Sequence, residues 1–198
     1  MPFSSLIERA LRVAASAHEG QYRKGTQTPY ITHPVAVMMI LQQAGFTDPH
    51  VLAAALLHDV VEDTDYSAER LTAEFPAPIP DYVASLTERK RDSHGAPRSW
   101  RDRKEEHLAH VAAASIAARA IALADKLHNL STIAYDIEQG DSAAAREAIW
   151  SRFNAPRTDL GWYYQSMIAA AAGSAPELAG LAADCRKLLG KLGLHEPV

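Results

Sequence analysis

The 198 residues contain one cysteine, Cys185, so an intrachain disulfide is impossible and no thiolate cluster is available for a structural zinc site. No uninterrupted apolar run is long enough to cross a bilayer, and no membrane partner is expected. Met1-Pro2-Phe3-Ser4-Ser5 lacks the basic region followed by an apolar stretch that a secretory leader needs. With the lone cysteine, this points to a reducing cytoplasm. Positive charge is not in excess: 20 Lys and Arg face 24 Asp and Glu, a formal net charge of −4, which argues against nucleic acid as a partner held by broad electrostatic attraction. Convincing period-two alternation is missing too, so no strand is expected.

What is present is a globular composition, 47% hydrophobic and 22% charged, of a length that suits one domain over residues 1–198. The apolar spacing is helical almost throughout and predicts an all-α bundle. Ser5-Leu6-Ile7-Glu8 has the form of a capping box and opens a first helix that Gly20 stops. A polar loop, 21–32, leads to Thr32-His33-Pro34, a helix start with proline in its first turn, and Gly45 ends that helix. Asp48-Pro49 repeats the signal. The helix it opens, Val51 to about Glu62, is apolar nearly all round and should lie at the centre. Short helices follow at 67–75 and 80–86, separated by Pro76, Pro78 and Pro80. Residues 87–99, with Gly95 and Pro97, form the best candidate for a mobile loop. Helices at 100–114 and 115–135 then complete a motif-bearing core of about 5–135, and C-terminal helices occupy about 141–192. Two basic clusters, Arg23-Lys24 and the stretch from Arg89 to Lys104, read by themselves as solvated surface.

His58-Asp59 closes an otherwise apolar helix, where burying ionisable groups is costly without a compensating partner. Glu62 and Asp63 follow one turn later, and mutual repulsion among so many acids is relieved by a bound cation. Asp125 interrupts a second buried stripe, in Leu123-Ala124-Asp125-Lys126-Leu127-His128-Asn129-Leu130, where it is a poor helix former and no cap, so a ligand role explains it better. His33 beside Pro34 proves little alone. Imidazoles and carboxylates together suit Mn²⁺, Fe²⁺ or Zn²⁺ better than Ca²⁺. An ion with open positions can polarise a phosphate oxygen and activate water, which is the chemistry of phosphoester hydrolysis.

The order His33, His58-Asp59, Asp125 matches the H…HD…D signature of the HD superfamily of metal-dependent phosphohydrolases. Arg23-Lys24-Gly25, Thr28-Pro29-Tyr30-Ile31-Thr32-His33-Pro34, the 54–64 segment carrying Glu62-Asp63, and Ala124-Asp125-Lys126-Leu127-His128-Asn129-Leu130 resemble the hydrolase domain of RelA/SpoT proteins and the single-domain small alarmone hydrolases. That resemblance implies removal of pyrophosphate from the 3′ position of guanosine tetra- or pentaphosphate, usually with Mn²⁺. It further implies that His33, His58, Asp59 and Asp125 hold the metal and that Glu62 and Asp63 assist the attacking water. Arg23 and Lys24 match the pair flanking the guanine, and Asn129 and Thr132 match positions lining the nucleoside pocket. A homo-oligomer is compatible with all of this. The sequence departs from the bifunctional enzymes at Ser131, where they usually carry a basic residue, and between Glu88 and Lys104. At this length the chain is expected to be a hydrolase only. Trp150-Ser151-Arg152-Phe153-Asn154 and Trp162-Tyr163-Tyr164 are expected to serve packing. The alternatives are an HD phosphatase for deoxynucleoside monophosphates or NADPH, and an inactive nucleotide sensor. A cyclic dinucleotide phosphodiesterase fits poorly, since the glycine-tyrosine-proline signature of that class is absent.

Overall fold

The computed structural model describes residues 4–194, so Met1-Pro2-Phe3 of the N-terminal reading lies outside the described residues. It is all-α: α1 (Ser5–Ala17), α2 (Thr32–Gln43), α3 (Pro49–Leu57), α4 (Val60–Asp63), α5 (Ala68–Glu74), α6 (Ile79–Leu86), α7 (Trp100–Ala113), α8 (Ile116–Gln139), α9 (Ala143–Ala148), α10 (Arg157–Ala172) and α11 (Ala179–Lys191), with 3-10 turns at Ile149–Arg152 and Pro176–Leu178. Among the described residues there is no strand, only the isolated bridges Tyr22 to Pro29 and Arg91 to Pro97 within loops. No helix in this range is long and apolar enough to cross a membrane.

Helix α3 is the hub. Every residue from Val51 to Leu57 is buried, and α1, α2, α6 and α8 all pack against it. Asp48 caps it by accepting from the His50 N–H, with Pro49 in the first turn. One helix from Val51 to Glu62 is expected from the sequence; instead the chain breaks at His58-Asp59 and resumes as α4. The capping box at Ser5 does not form either: Ser4 is the cap residue and makes no side-chain bond. Helix α8 carries the second motif through the core, and α10 and α11 pack against it.

The 87–99 segment is tied down at several points. Lys90 pairs with Asp63 at 2.6 Å, and Arg98 pairs with Glu106. Glu88 is buried and accepts from Arg103 at 2.6 Å and from Lys104 at 2.5 Å, so the end of this basic stretch is an internal ion cluster rather than solvated charge. Burial by itself would raise the Glu88 carboxyl, but Lys104 and Arg103 hold it below its ordinary value. A depressed folded pKa means that its stabilisation is present above the unfolded pKa and fades as the pH falls through the folded one. Glu88→Gln is therefore expected to cost about 2–3 kcal/mol, because the partly buried Arg103 and Lys104 lose their counter-charge. For a chain of this size that lowers Tm by ~10 °C at neutral pH. The deficit should shrink in acid; thermal melts at several pH values check both points.

Candidate active site

His33 lies in the first turn of α2, His58 and Asp59 in the break between α3 and α4, and Asp125 in the middle of α8. Three separated segments thus meet at one point. One atom each from His33, His58 and Asp125 falls within a mutual 4.8 Å, the spacing of a metal-binding group. Asp59 adjoins them, its Oδ2 lying 3.2 Å from His58 Nε2 and 3.5 Å from His33 Nε2. Tyr30 donates its hydroxyl to this same oxygen at 2.7 Å.

The donor chemistry fits a cation. His58 Nδ1 lies 2.7 Å from the Ala55 carbonyl oxygen, so Nδ1 carries the proton and Nε2 presents a lone pair to the cluster. That Nε2 is buried and has no hydrogen-bond partner: Asp59 is near in distance but not aligned as an acceptor or donor. An orphaned buried nitrogen facing two carboxylates is the cost a metal ion removes. Burial lowers the His33 pKa and so favours the neutral imidazole that a metal requires. Burial would raise both acids, yet the imidazoles keep Asp59 below its usual value, and Lys126 with the imidazoles holds Asp125 well below it.

The sequence-derived acids take different places. Glu62 lines the pocket beside the cluster, with its Oε2 accepting from the Glu88 N–H at 3.0 Å. Burial raises its pKa, with the charges of Asp63 and Asp59 adding to the effect. Asp63 is exposed and does not line that pocket; it is paired with Lys90. The pocket, of about 170 Å³, also receives Lys104, His107, Lys126 and Tyr163, none of which the sequence reading assigned to a site. Lys126 was visible inside the Asp125 motif, but only the packing of α7 and α10 against α8 shows that Lys104, His107 and Tyr163 converge there.

A second, larger cavity of about 680 Å³ adjoins the first, and Arg23, Tyr30 and Asn129 line both. Lys24 and Thr132 line only the larger one. Arg23 Nη2 donates to Asn129 Oδ1 at 2.5 Å, and Asn129 Nδ2 donates to Asp125 Oδ1 at 2.6 Å, so a hydrogen-bonded chain joins the two cavities. Lys24 donates to Asn154 at 3.1 Å. Gly25, at φ +74, turns the loop, and a Cβ there would sit 2.6 Å from the Arg152 side chain. Phe153 and Tyr164 also line the larger cavity, so part of the aromatic C-terminal sequence does more than fill the core.

Comparison with known proteins agrees with this geometry. The HD domain family model matches residues 10–161, reaching past the 5–135 core into α10. The zebrafish (Danio rerio) guanosine-3′,5′-bis(diphosphate) 3′-pyrophosphohydrolase MESH1 is 38% identical over 143 residues, covering 71% of this chain and 76% of that protein. A GTP pyrophosphokinase of Streptomyces coelicolor is 40% identical over 144 residues, but these are only 16% of its length. Among solved structures, a metazoan ortholog of SpoT described as hydrolysing ppGpp superimposes with a TM-score of 0.76 at 30% identity, covering 98% of this chain and 99% of that one. With the matching model, the MESH1 likeness and the His33, His58-Asp59, Asp125 cluster in agreement, this chain belongs to the HD-domain family of MESH1-like proteins.

Proposed function

We propose that the protein is a metal-dependent (p)ppGpp 3′-pyrophosphohydrolase that converts guanosine tetra- or pentaphosphate into GDP or GTP and pyrophosphate. The observation that carries this reading is the cluster of buried His33 and His58 with partly buried Asp125, with its unpartnered His58 Nε2, opening through Arg23, Tyr30 and Asn129 onto a cavity of nucleoside size. His33, His58, Asp59 and Asp125 hold a divalent ion, for which Mn²⁺ suits the mixed nitrogen and oxygen donors. Once bound, the ion supplies a Lewis acid for a phosphate oxygen and lowers the pKa of water.

The remaining steps belong to side chains. Glu62, inside the pocket with a raised pKa, takes the proton of the attacking water, and the Glu88 N–H holds its carboxylate in place. Asp63, tied to Lys90, orients the 87–99 segment against Glu62. Lys104 and Lys126 flank the pocket and offset phosphate charge. In the larger cavity Arg23 and Lys24 hold the purine and its phosphates, beside Asn129 and Thr132. All these groups come from one chain, so the site does not require a homo-oligomer. We read the chain as a single hydrolase unit, and a cytoplasmic location accords with its single buried thiol.

Incubation with guanosine tetraphosphate and Mn²⁺ followed by product identification tests the reaction: GDP and pyrophosphate are expected. Orthophosphate release from deoxynucleoside monophosphates or NADPH, with guanosine tetraphosphate left intact, would replace this substrate. Base recognition has its own test. Arg23→Ala removes a planar cation, and the loss of guanosine tetraphosphate affinity should be roughly 1 to 3 kcal/mol. Cleavage of a small generic phosphoester, which has no purine, should barely change. Equal loss on both substrates would remove Arg23 from base recognition.

A further inference from the structure

His33 and His58 both direct Nε2 at the cluster, but they are held in different ways. The Nδ1 of His58 is fixed by the Ala55 carbonyl, a backbone group that any residue at that position provides. His33 Nε2 lies 3.1 Å from Asp125 Oδ1 and 3.5 Å from Asp59 Oδ2, which marks it as the nitrogen facing the cation. A neutral imidazole that offers Nε2 as a lone pair carries its proton on Nδ1. The Nδ1 of His33 lies 2.7 Å from the Nδ1 of His128, with the two ring centroids 4.9 Å apart. Two ring nitrogens at that distance need one donor and one acceptor. If His33 donates, His128 must be unprotonated at Nδ1 and carry its proton on Nε2.

Resting on the metal reading above, we infer that His128 is a positioning residue for the metal: it accepts the His33 Nδ1 proton and thereby fixes the tautomer and aim of His33 Nε2. Outer partners of this kind raise the basicity of the ligand and remove the freedom of the ring to rotate. The placement follows from α8 itself, since His128 stands one turn after Asp125 and so faces the same side of the helix. A single helix delivers both a metal ligand and the group that orients another. The sequence offers no hint of this role, because the partner ring comes from α2, 95 positions away.

Mn²⁺ titration of the metal-stripped protein tests it, with His33→Ala, His128→Leu and His128→Asn beside the parent. His128→Leu should weaken Mn²⁺ binding by about 10- to 100-fold, the usual effect of losing an outer partner. His128→Asn places an acceptor oxygen close to where Nδ1 stood and should recover most of that loss. His33→Ala should lose the ion almost entirely; if it binds Mn²⁺ like the parent, the ligand reading itself falls. If His33→Ala loses the ion while His128→Leu keeps parental affinity, the ligand reading stands and the His128 assignment is overturned. Should His128→Leu fail to fold, spectra of the parent labelled with ¹⁵N-histidine and loaded with diamagnetic Zn²⁺ decide. They should show His33 protonated at Nδ1 and His128 at Nε2, and a proton on His128 Nδ1 would overturn the assignment.

Discussion

Asp125→Ala is expected to lose the metal and destabilise the fold together. Lys126 Nζ lies 2.5 Å from Asp125 Oδ2, and the lysine side chain is only 12% exposed. Burial would lower the Lys126 pKa, yet the carboxylate keeps it well above its ordinary value, so the pair is held charged inside the protein. Without Asp125 that ammonium has no counter-charge, and breaking such a buried pair costs about 3–5 kcal/mol. The carboxylate also accepts from Asn129, so the chain leading to Arg23 is cut as well. Hydrolysis should fall by about 10³-fold or more, since a metal lowers the barrier by several kcal/mol. The two losses can be separated. Asp125→Ala combined with Lys126→Met removes the unpaired charge and should regain stability without regaining the ion. His58→Ala should lose the ion at a smaller cost in Tm, because the partner it leaves is a backbone carbonyl. Metal analysis and thermal melts on the set check this, and parental metal content in Asp125→Ala would sink the ligand assignment.

Glu62→Gln should act on the chemistry alone. The change removes the proposed base and almost no volume, and Glu62 lies outside the cluster of His33, His58 and Asp125, so the metal should remain. Turnover should drop by about 10²-fold or more, the range for general acid–base help. The pH profile gives a sharper reading. Burial raises the Glu62 pKa above its ordinary 4.5, and the neighbouring Asp63 and Asp59 push it the same way against the Glu88 N–H. A base works only when deprotonated, so the rate should climb with pH through that raised value and level off above it. Glu62→Gln should abolish this acid limb along with most of the rate. Asp63→Asn should do much less, because Asp63 lies outside the pocket and serves Lys90. Unchanged turnover in Glu62→Gln would return Glu62 to a structural role.

Much of the architecture was written locally. Helical apolar spacing and Asp48-Pro49 at the head of α3 are short-range facts, and the helices lie close to where these signals put them. The side-chain caps at Ser67, Ser99 and Ser115 are just as local but emerged only in the structure. The break at His58-Asp59 was not legible, because the i to i+4 spacing of the acids looks the same whether or not the helix is interrupted between them. His58, Asp59 and Asp125 were legible because an ionisable residue inside an apolar stripe contradicts burial, and the contradiction is visible without coordinates; His33 stood out only through its place in the H…HD…D pattern. Lys104 and Arg103 gave the opposite impression: on a basic stretch they looked solvated, and only the folded chain surrounds Glu88 with them.

The sequence by itself therefore determined the all-α class, the central helix and the residue types that can bind a metal, since each depends on patterns within a few turns of chain. Tertiary structure alone decided which carboxylate faces the pocket, that Tyr163 and Lys104 join it, and that His128 meets His33. Those outcomes depend on helix packing between residues dozens of positions apart. There a side chain's partner, and with it its charge and tautomer, is set by distances that linear spacing does not encode.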